Sequence, residues 1–465
     1  MLVAVFSNGP SLLYLLFITG CFGSLQMLPG SGGATLLPQS ACAALLACKV
    51  LVQRGNPTRA LEAAVDPRRL ALFSAFLLYA VVGAQVMPRV FANMFEVVPV
   101  SALRFGTDVL KPGAGNFTQS GYMALSYGTT LCFTIIGQTD ETREHFKRAL
   151  LGGAIVLVAT GVVDFITYTL GIGAILDPFR NASYALLTEV EAEGAKRVVG
   201  LMPEASVYGS ICVGTLSMLL FMRPFFRKGP ETLVLVVTMV MLTLMTILST
   251  SSTAYVGFGV LVAIYGIDLL IRMLDPRDPR RDQINLEISL IILLIFSAFV
   301  GFMIKPTLFD PIITMVDKMV FQKASTSSFA ERSMWNRVGW HAFLDSGGMG
   351  AGLGSIRVSN WAISILGSTG ILGAILMFGF IAQQLLAVPR LAPPAVKTFA
   401  TVVKFGLLPT LVMYQVAGTI PDIGISTAAA LGMITATHMV GVRSSRAVLP
   451  SDRSQAVGLD ERTAL

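Results

Sequence analysis

The chain has 465 residues, only 13% of them charged, and a mean hydropathy of +0.71; a soluble domain carries about 25% charged residues. A soluble enzyme is therefore excluded: apolar runs of about 20 residues, each long enough to cross hydrocarbon, recur from end to end. The net charge of +7 is not a nucleic-acid signal, because the basic residues collect in alternate loops, as the positive-inside rule describes.

In chain order, apolar runs predict about twelve spans, near 9–28, 34–52, 69–88, 119–138, 149–174, 204–222, 232–249, 253–271, 287–305, 359–388, 403–419 and 424–441. The expected fold is an all-α polytopic membrane protein with one large periplasmic loop, about 306–358, containing an interfacial helix. One integral domain covers 1–442, and a disordered cytoplasmic tail covers 443–465. The N-terminus lacks the Lys/Arg n-region of a signal peptide, so the first apolar run counts as a span. Five cysteines in or beside spans fit neither a disulfide framework nor a zinc site. No metal and no cofactor is expected.

When sides alternate, most of the 34 lysines and arginines fall on one side, which places both termini in the cytoplasm. On the outer side, Arg89, Arg104 and Lys111 are spread through an early loop. The others crowd together. Arg180, Lys196 and Arg197 share a second loop, and Lys305, Lys318, Lys323, Arg332, Arg337 and Arg357 share the long third one. An outer face that gathers cations into two patches is expected to bind an anion there.

Asp164 interrupts the run 149–174. A carboxylate at that depth must be paired, protonated or wet, and with no series of buried acids after it a structural contact is expected. At 196–206, Lys-Arg-Val-Val-Gly-Leu-Met-Pro-Glu-Ala-Ser puts a basic pair ahead of Gly200, Pro203 and Glu204 at the mouth of an apolar helix, where an acid complements the positive helix end. The hydroxyl cluster at 249–253 reads as a tight turn that satisfies helix ends or as a contact for a polar ligand. The sequence DPRDPRR at 275–281 reads as a cytoplasmic charged turn and a topology signal only.

Residues 327–345 have helical periodicity. Arg332 and Asn336 share one face, Arg337, His341 and Asp345 another, and Trp335, Val338 and Ala342 form an apolar stripe. The glycines at 347, 348, 350, 352 and 354 follow no strand, so a dinucleotide fingerprint fails. They read as a tightly turned or flexible re-entry loop whose amides are free for phosphate oxygens. All three tryptophans, Trp335, Trp340 and Trp361, lie here, placed for interfacial anchoring or for stacking on a sugar.

The order of these elements resembles the O-antigen ligase/polymerase superfamily of bacterial envelope polysaccharide enzymes. The resemblance spans roughly 195–376 and is strongest over 326–376. Arg197 and Gly200 match an Arg-x-x-Gly that precedes a span in that family, and Arg332 falls where the family carries its loop arginine. The cluster at 249–253 falls where Ser-Arg is common, without the arginine; Ser359-Asn360 stands where ligases carry a His. The resemblance implies a metal-independent inverting glycosyltransferase in the bacterial inner membrane, its active site facing the periplasm. Its partners would be an undecaprenyl-pyrophosphate-linked oligosaccharide and membrane lipid, with room for a chain-length regulator.

The departure at Ser359 favours a polymerase of repeat units over a ligase acting on lipid A-core or another acceptor; sparse intramembrane charge disfavours a transporter or flippase of lipid-linked sugars. Arg197 and Arg332 are expected to hold pyrophosphate as bidentate forks. Arg337, Arg357, Ser359, Asn360 and Trp335 are the further expected substrate contacts. Glu204, then Glu331 and His341, are the expected proton acceptors for the attacking hydroxyl.

Overall fold

A computed structural model describes residues 9–27, 35–100, 106–184, 186–188, 191–192, 195–226, 228–275, 278, 280–281, 284–304, 327–389 and 391–448. Arg104, Lys305, Lys318 and Lys323, and the predicted tail from residue 449 onward, lie outside them.

The described helices, in chain order, are α1 (Ser11–Thr19), α2 (Pro38–Val52), α3 (Asn56–Val65), α4 (Ala71–Val90), α5 (Ala114–Ile136), α6 (Asp140–Thr169), α7 (Ala205–Met222), α8 (Pro230–Leu248), α9 (Ser252–Leu274), α10 (Ile284–Ile304), α11 (Ser327–Asp345), α12 (Trp361–Leu386), α13 (Pro394–Ala417) and α14 (Ile425–Val448). Two small antiparallel ladders join them, β1 (Glu96–Val97) with β2 (Asp108–Val109) and β3 (Glu191–Ala192) with β4 (Ala195–Lys196). The chain is a polytopic, mostly helical membrane protein. Among the described residues, seven helices are long and apolar enough to cross a membrane: α4, α6, α7 with its short 3₁₀ extension, α8, α9, α12 and α13. The shorter α2 and the first part of α14 are also apolar.

A helix stands at each predicted span, but several boundaries differ. Helix α6 begins well before its apolar run, because Thr139 caps it and Asp140 and Glu141 complement its positive end. Hydropathy sees only the part that meets hydrocarbon, whereas caps set where the helix begins. Helix α14 continues through Arg443 to Val448. Helix α8 leaves Leu233, Val237, Val240 and Leu244 exposed, an apolar face that suits lipid.

Inside, α5 packs along α14 and α7 along α13. Small residues let α5 and α14 approach closely: Thr130 donates to the Ala428 carbonyl at 3.1 Å, and a Cβ at Gly432 would collide with the Thr130 backbone.

The glycine run has a structural role that its sequence did not disclose. Helix α12 is broken at Gly370, which adopts φ 64° and ψ −166°. The 347–352 loop plugs the break: Ala351 N donates to Gly367 O at 2.7 Å, Gly352 N to Ser368 O at 3.0 Å, and Ile371 N to Gly348 O at 3.0 Å. Gly350 N donates to Ser346 Oγ at 2.8 Å, and Gly347 N and Gly348 N donate to Leu344 O and Phe343 O. These amides are therefore not free for phosphate. Those of Ala351 and Gly352 satisfy carbonyls that the break in α12 leaves open, as backbone within a membrane protein must be satisfied internally.

The turn at 275–281 is also more than a topology signal. Arg280 donates to Asp268 at 2.7 Å and to Asp278 at 2.6 Å, while Arg272 bonds both Asp268 and Glu287. Arg223 completes the network on Glu287. This buried network ties α9 to the start of α10.

Candidate functional site

Asp164 holds the segment 196–200 that leads to Glu204. Asp164 is 1% exposed. One carboxylate oxygen accepts from Arg180 at 2.6 Å and pairs with Lys196 at 3.2 Å. The other accepts from the backbone amides of Val199 at 2.8 Å and Gly200 at 3.1 Å. This is the structural contact the sequence predicted, and it corrects the first cation patch: Arg180 and Lys196 serve Asp164. Gly200 has φ +56° and its would-be Cβ lies 2.8 Å from Tyr208, so the segment can turn toward α7 only with glycine there.

Arg197 leaves on the other side of the extended segment. Its guanidinium donates to Thr250 Oγ1 at 3.0 Å, the Thr250 carbonyl at 3.2 Å and the Ser249 carbonyl at 3.4 Å. The hydroxyl cluster thus forms a turn, with Ser251 capping α9 and Thr250 at φ 44°, a strained angle for a β-branched residue. Burial, with Glu204 opposing it and the Arg332 charge adding to it, holds the Arg197 pKa below its usual value.

Between α1, α6, α7, α11, α13 and the start of α14 lies a cavity of about 720 Å³. Its polar end is lined by Glu204, Ser206, Glu331, Arg332, Trp335, Arg357 and Ser359, and Asp422 also lines the cavity. Its remainder is mostly apolar, with Phe17, Leu150, Leu157, Ile211, Met218 and Leu407 on the wall. Along α7 alone, the lining from Glu204 to Met218 covers about 21 Å at about 1.5 Å per residue. The Arg357 guanidinium lies 4.5 Å over the buried Trp335 ring, in cation–π geometry. Burial again lowers the Arg357 pKa first, Glu204 and Glu331 oppose this, and Arg332 adds to it.

The structure thus brings together Arg332, Arg357, Trp335, Glu204, Glu331 and Ser359 on one cavity wall, with Arg197 in electrostatic range of Glu204 and Arg332. Glu204 is the residue before α7 and makes no capping bond; its carboxylate accepts from the Ser206 hydroxyl instead. Three predicted residues lie elsewhere. Arg337 and His341 are exposed and do not line the cavity. Asn360 caps α12 through Ile363 N at 3.0 Å and donates to the Gln415 carbonyl at 2.7 Å. Of the tryptophans, Trp361 is buried and donates to the Pro421 carbonyl at 3.1 Å, while Trp340 is 42% exposed and packs on Phe343.

The sequence reading missed Asp422, in the 418–424 turn between α13 and α14. Its signal was a lone acid between Pro421 and Gly424 in the turn joining the last two apolar runs. Among the described residues no three or more His, Cys, Asp or Glu gather as a metal site. No protein-family model matches the chain, and no curated protein matches its sequence.

Proposed function

We propose that the protein polymerises lipid-linked oligosaccharide repeat units of an exopolysaccharide or O-antigen, transferring glycan from undecaprenyl pyrophosphate to a sugar hydroxyl. One observation carries this reading: a guanidinium cluster at one end of a deep cavity whose other end is apolar. That pairing fits an anionic headgroup on a long hydrocarbon chain. Arginine does not deprotonate in proteins, so Arg197 and Arg357, whose charged forms burial disfavours, gain from an anion that neutralises them. As the pyrophosphate leaves, it accumulates negative charge, and fixed guanidinium donors stabilise that change.

In this reading the chain crosses the inner membrane twelve times and the cationic end of the cavity opens to the periplasm. Ser359, rather than a histidine, lines the cavity at the point where ligases carry their His, which supports polymerase over ligase. A flippase must pass polar sugars through its interior, and the inner walls of this cavity are mostly apolar.

Substitution Arg332→Lys keeps the charge and removes the fork. Loss of one charge-assisted hydrogen bond, about 1.5–3 kcal/mol, weakens binding of geranylgeranyl pyrophosphate to the purified protein by about 10- to 150-fold. In a deletion strain carrying this variant, single repeat units on lipid accumulate. Unchanged affinity together with unchanged polymer length would defeat the proposal.

A further inference from the structure

We infer that Asp422 is the proton acceptor for the attacking sugar hydroxyl. The inference rests on the transfer reading above and concerns the same cavity. Two contacts seat the Asp422 turn against the segment that carries Arg357 and Ser359. Val358 N reaches the Thr419 carbonyl at 3.5 Å, and the Trp361 indole reaches the Pro421 carbonyl at 3.1 Å. Tyr414 fixes the turn from beneath, its hydroxyl donating to the Ile423 carbonyl at 2.8 Å. Asp422 therefore faces the cavity from a wall that the polar end shares.

The three cavity carboxylates are not equivalent. Glu204 faces both Arg197 and Arg357, and Glu331 faces Arg357. An inverting transfer brings the attacking hydroxyl in on the face opposite the leaving group, so a carboxylate set among the guanidiniums that receive the pyrophosphate stands on the wrong side to take its proton. His341, the remaining predicted base, does not line the cavity. Asp422 differs. Its Oδ1 is buried, with no hydrogen bond of normal geometry among the described residues. The groups that act on it are the Ser126 hydroxyl and the amides of Ile423 and Gly424, which favour its charged form, and its own charge is felt by Tyr122 on α5 and Tyr414 on α13. No Lys or Arg figures among the groups that set its ionisation. Burial, only partly offset by Ser126 and the two amides, pushes its pKa from 3.8 to about 6, close to the operating range a general base needs.

The step balances without a further reactant. A lone pair on the acceptor hydroxyl oxygen forms the new bond to the anomeric carbon. The bond from that carbon to the pyrophosphate oxygen breaks, and its electron pair departs with the pyrophosphate toward Arg332 and Arg357. The hydroxyl proton passes to the Asp422 carboxylate and from there to water.

The test uses membranes carrying the full-length enzyme with its host's lipid-linked glycan, followed as chain extension from pH 5 to 7.5. The wild-type rate rises with pH and levels off above about 6. Asp422→Asn loses about 100-fold or more of the rate, the scale of general-base catalysis, while Asp422→Glu recovers part of it with a shifted pH midpoint. Binding of geranylgeranyl pyrophosphate by purified Asp422→Asn protein stays within about twofold of wild type, which excludes a folding defect. An Asp422→Asn enzyme that extends glycan at the wild-type rate overturns this assignment and leaves the transfer reading intact. A wild-type protein that binds no polyprenyl pyrophosphate and extends no glycan overturns both.

Discussion

Asp164→Asn tests whether a residue outside the cavity shapes the site. The substitution keeps the side-chain outline and one acceptor oxygen. It removes the charge that faces Arg180 at 2.6 Å and Lys196 at 3.2 Å, and it turns an NH₂ group toward either those cations or the amides of Val199 and Gly200. Removing one partner of a buried ion pair costs about 3–5 kcal/mol, because the opposite charge stays buried and uncompensated. If the segment 196–200 opens to relieve that cost, its open population rises by about 150- to 5,000-fold. Hydrogen–deuterium exchange of the purified protein in lipid nanodiscs reads this directly, at the peptide containing Val199 and Gly200. Headgroup binding falls with it, since Arg197 is carried by the same segment. A triple change, Asp164→Leu with Arg180→Met and Lys196→Met, removes all the charges together and loses far less, as apolar replacement of buried ion pairs generally does. Wild-type protection of that peptide in the Asn variant would refute the assignment of Asp164 as the anchor of this segment.

Two further outcomes follow from the same reasoning. Gly350 has φ +85° and its would-be Cβ lies 2.7 Å from the backbone of Ser368 and Gly370, whereas Gly347 has φ +63° and open space; Gly350→Ala therefore lowers the thermal midpoint in detergent well beyond the about 1–2 kcal/mol of left-handed strain that Gly347→Ala incurs, and equal effects would count against the plugged break in α12. Asp422 contributes its full share of stability below its unfolded value of 3.8, and that share is lost as pH rises through about 6, an upper bound of about 3 kcal/mol; Asp422→Asn is accordingly more stable than wild type at pH 7.5 and matches it near pH 4, and the same midpoint difference at both pH values would contradict this.

How much of this was readable in the residues differs from element to element. Helix α11 occupies the predicted 327–345, because its Trp335, Val338 and Ala342 stripe repeats at helical spacing. The same spacing separated Arg332 from Arg337 and His341. Which of the two faces meets the cavity was set by packing against α12 and β1, and no local pattern encodes that. The cation patch at 180–197 was visible as composition, but its division between structure and site was not. Lys196 and Arg197 are neighbours with opposite fates, since an extended chain sends successive side chains to opposite faces and only one face meets Asp164. The glycine run was equally visible and equally ambiguous. Its amides could be assigned only once the break at Gly370 was known, because free and satisfied N–H groups look identical in sequence. Asp422 sits in a turn too short to show any periodicity.

The site's charges explain why the roles of its acids separate. Arg197, Arg332 and Arg357 cannot relieve their mutual repulsion by losing protons. Glu204 and Glu331 offset part of that repulsion. An arriving pyrophosphate meets donors already in place, so little reorganisation is needed as the leaving group forms. Those same glutamates stand on the leaving-group side, whereas an inverting transfer brings the hydroxyl in on the opposite face. A base for the hydroxyl must stand in the cavity yet outside the reach of the guanidiniums, in surroundings that make its carboxylate ready to be protonated. Among the carboxylates that line the cavity, Asp422 meets both conditions, because the wall it belongs to is built from a turn whose backbone carbonyls are tied to Trp361 and Tyr414.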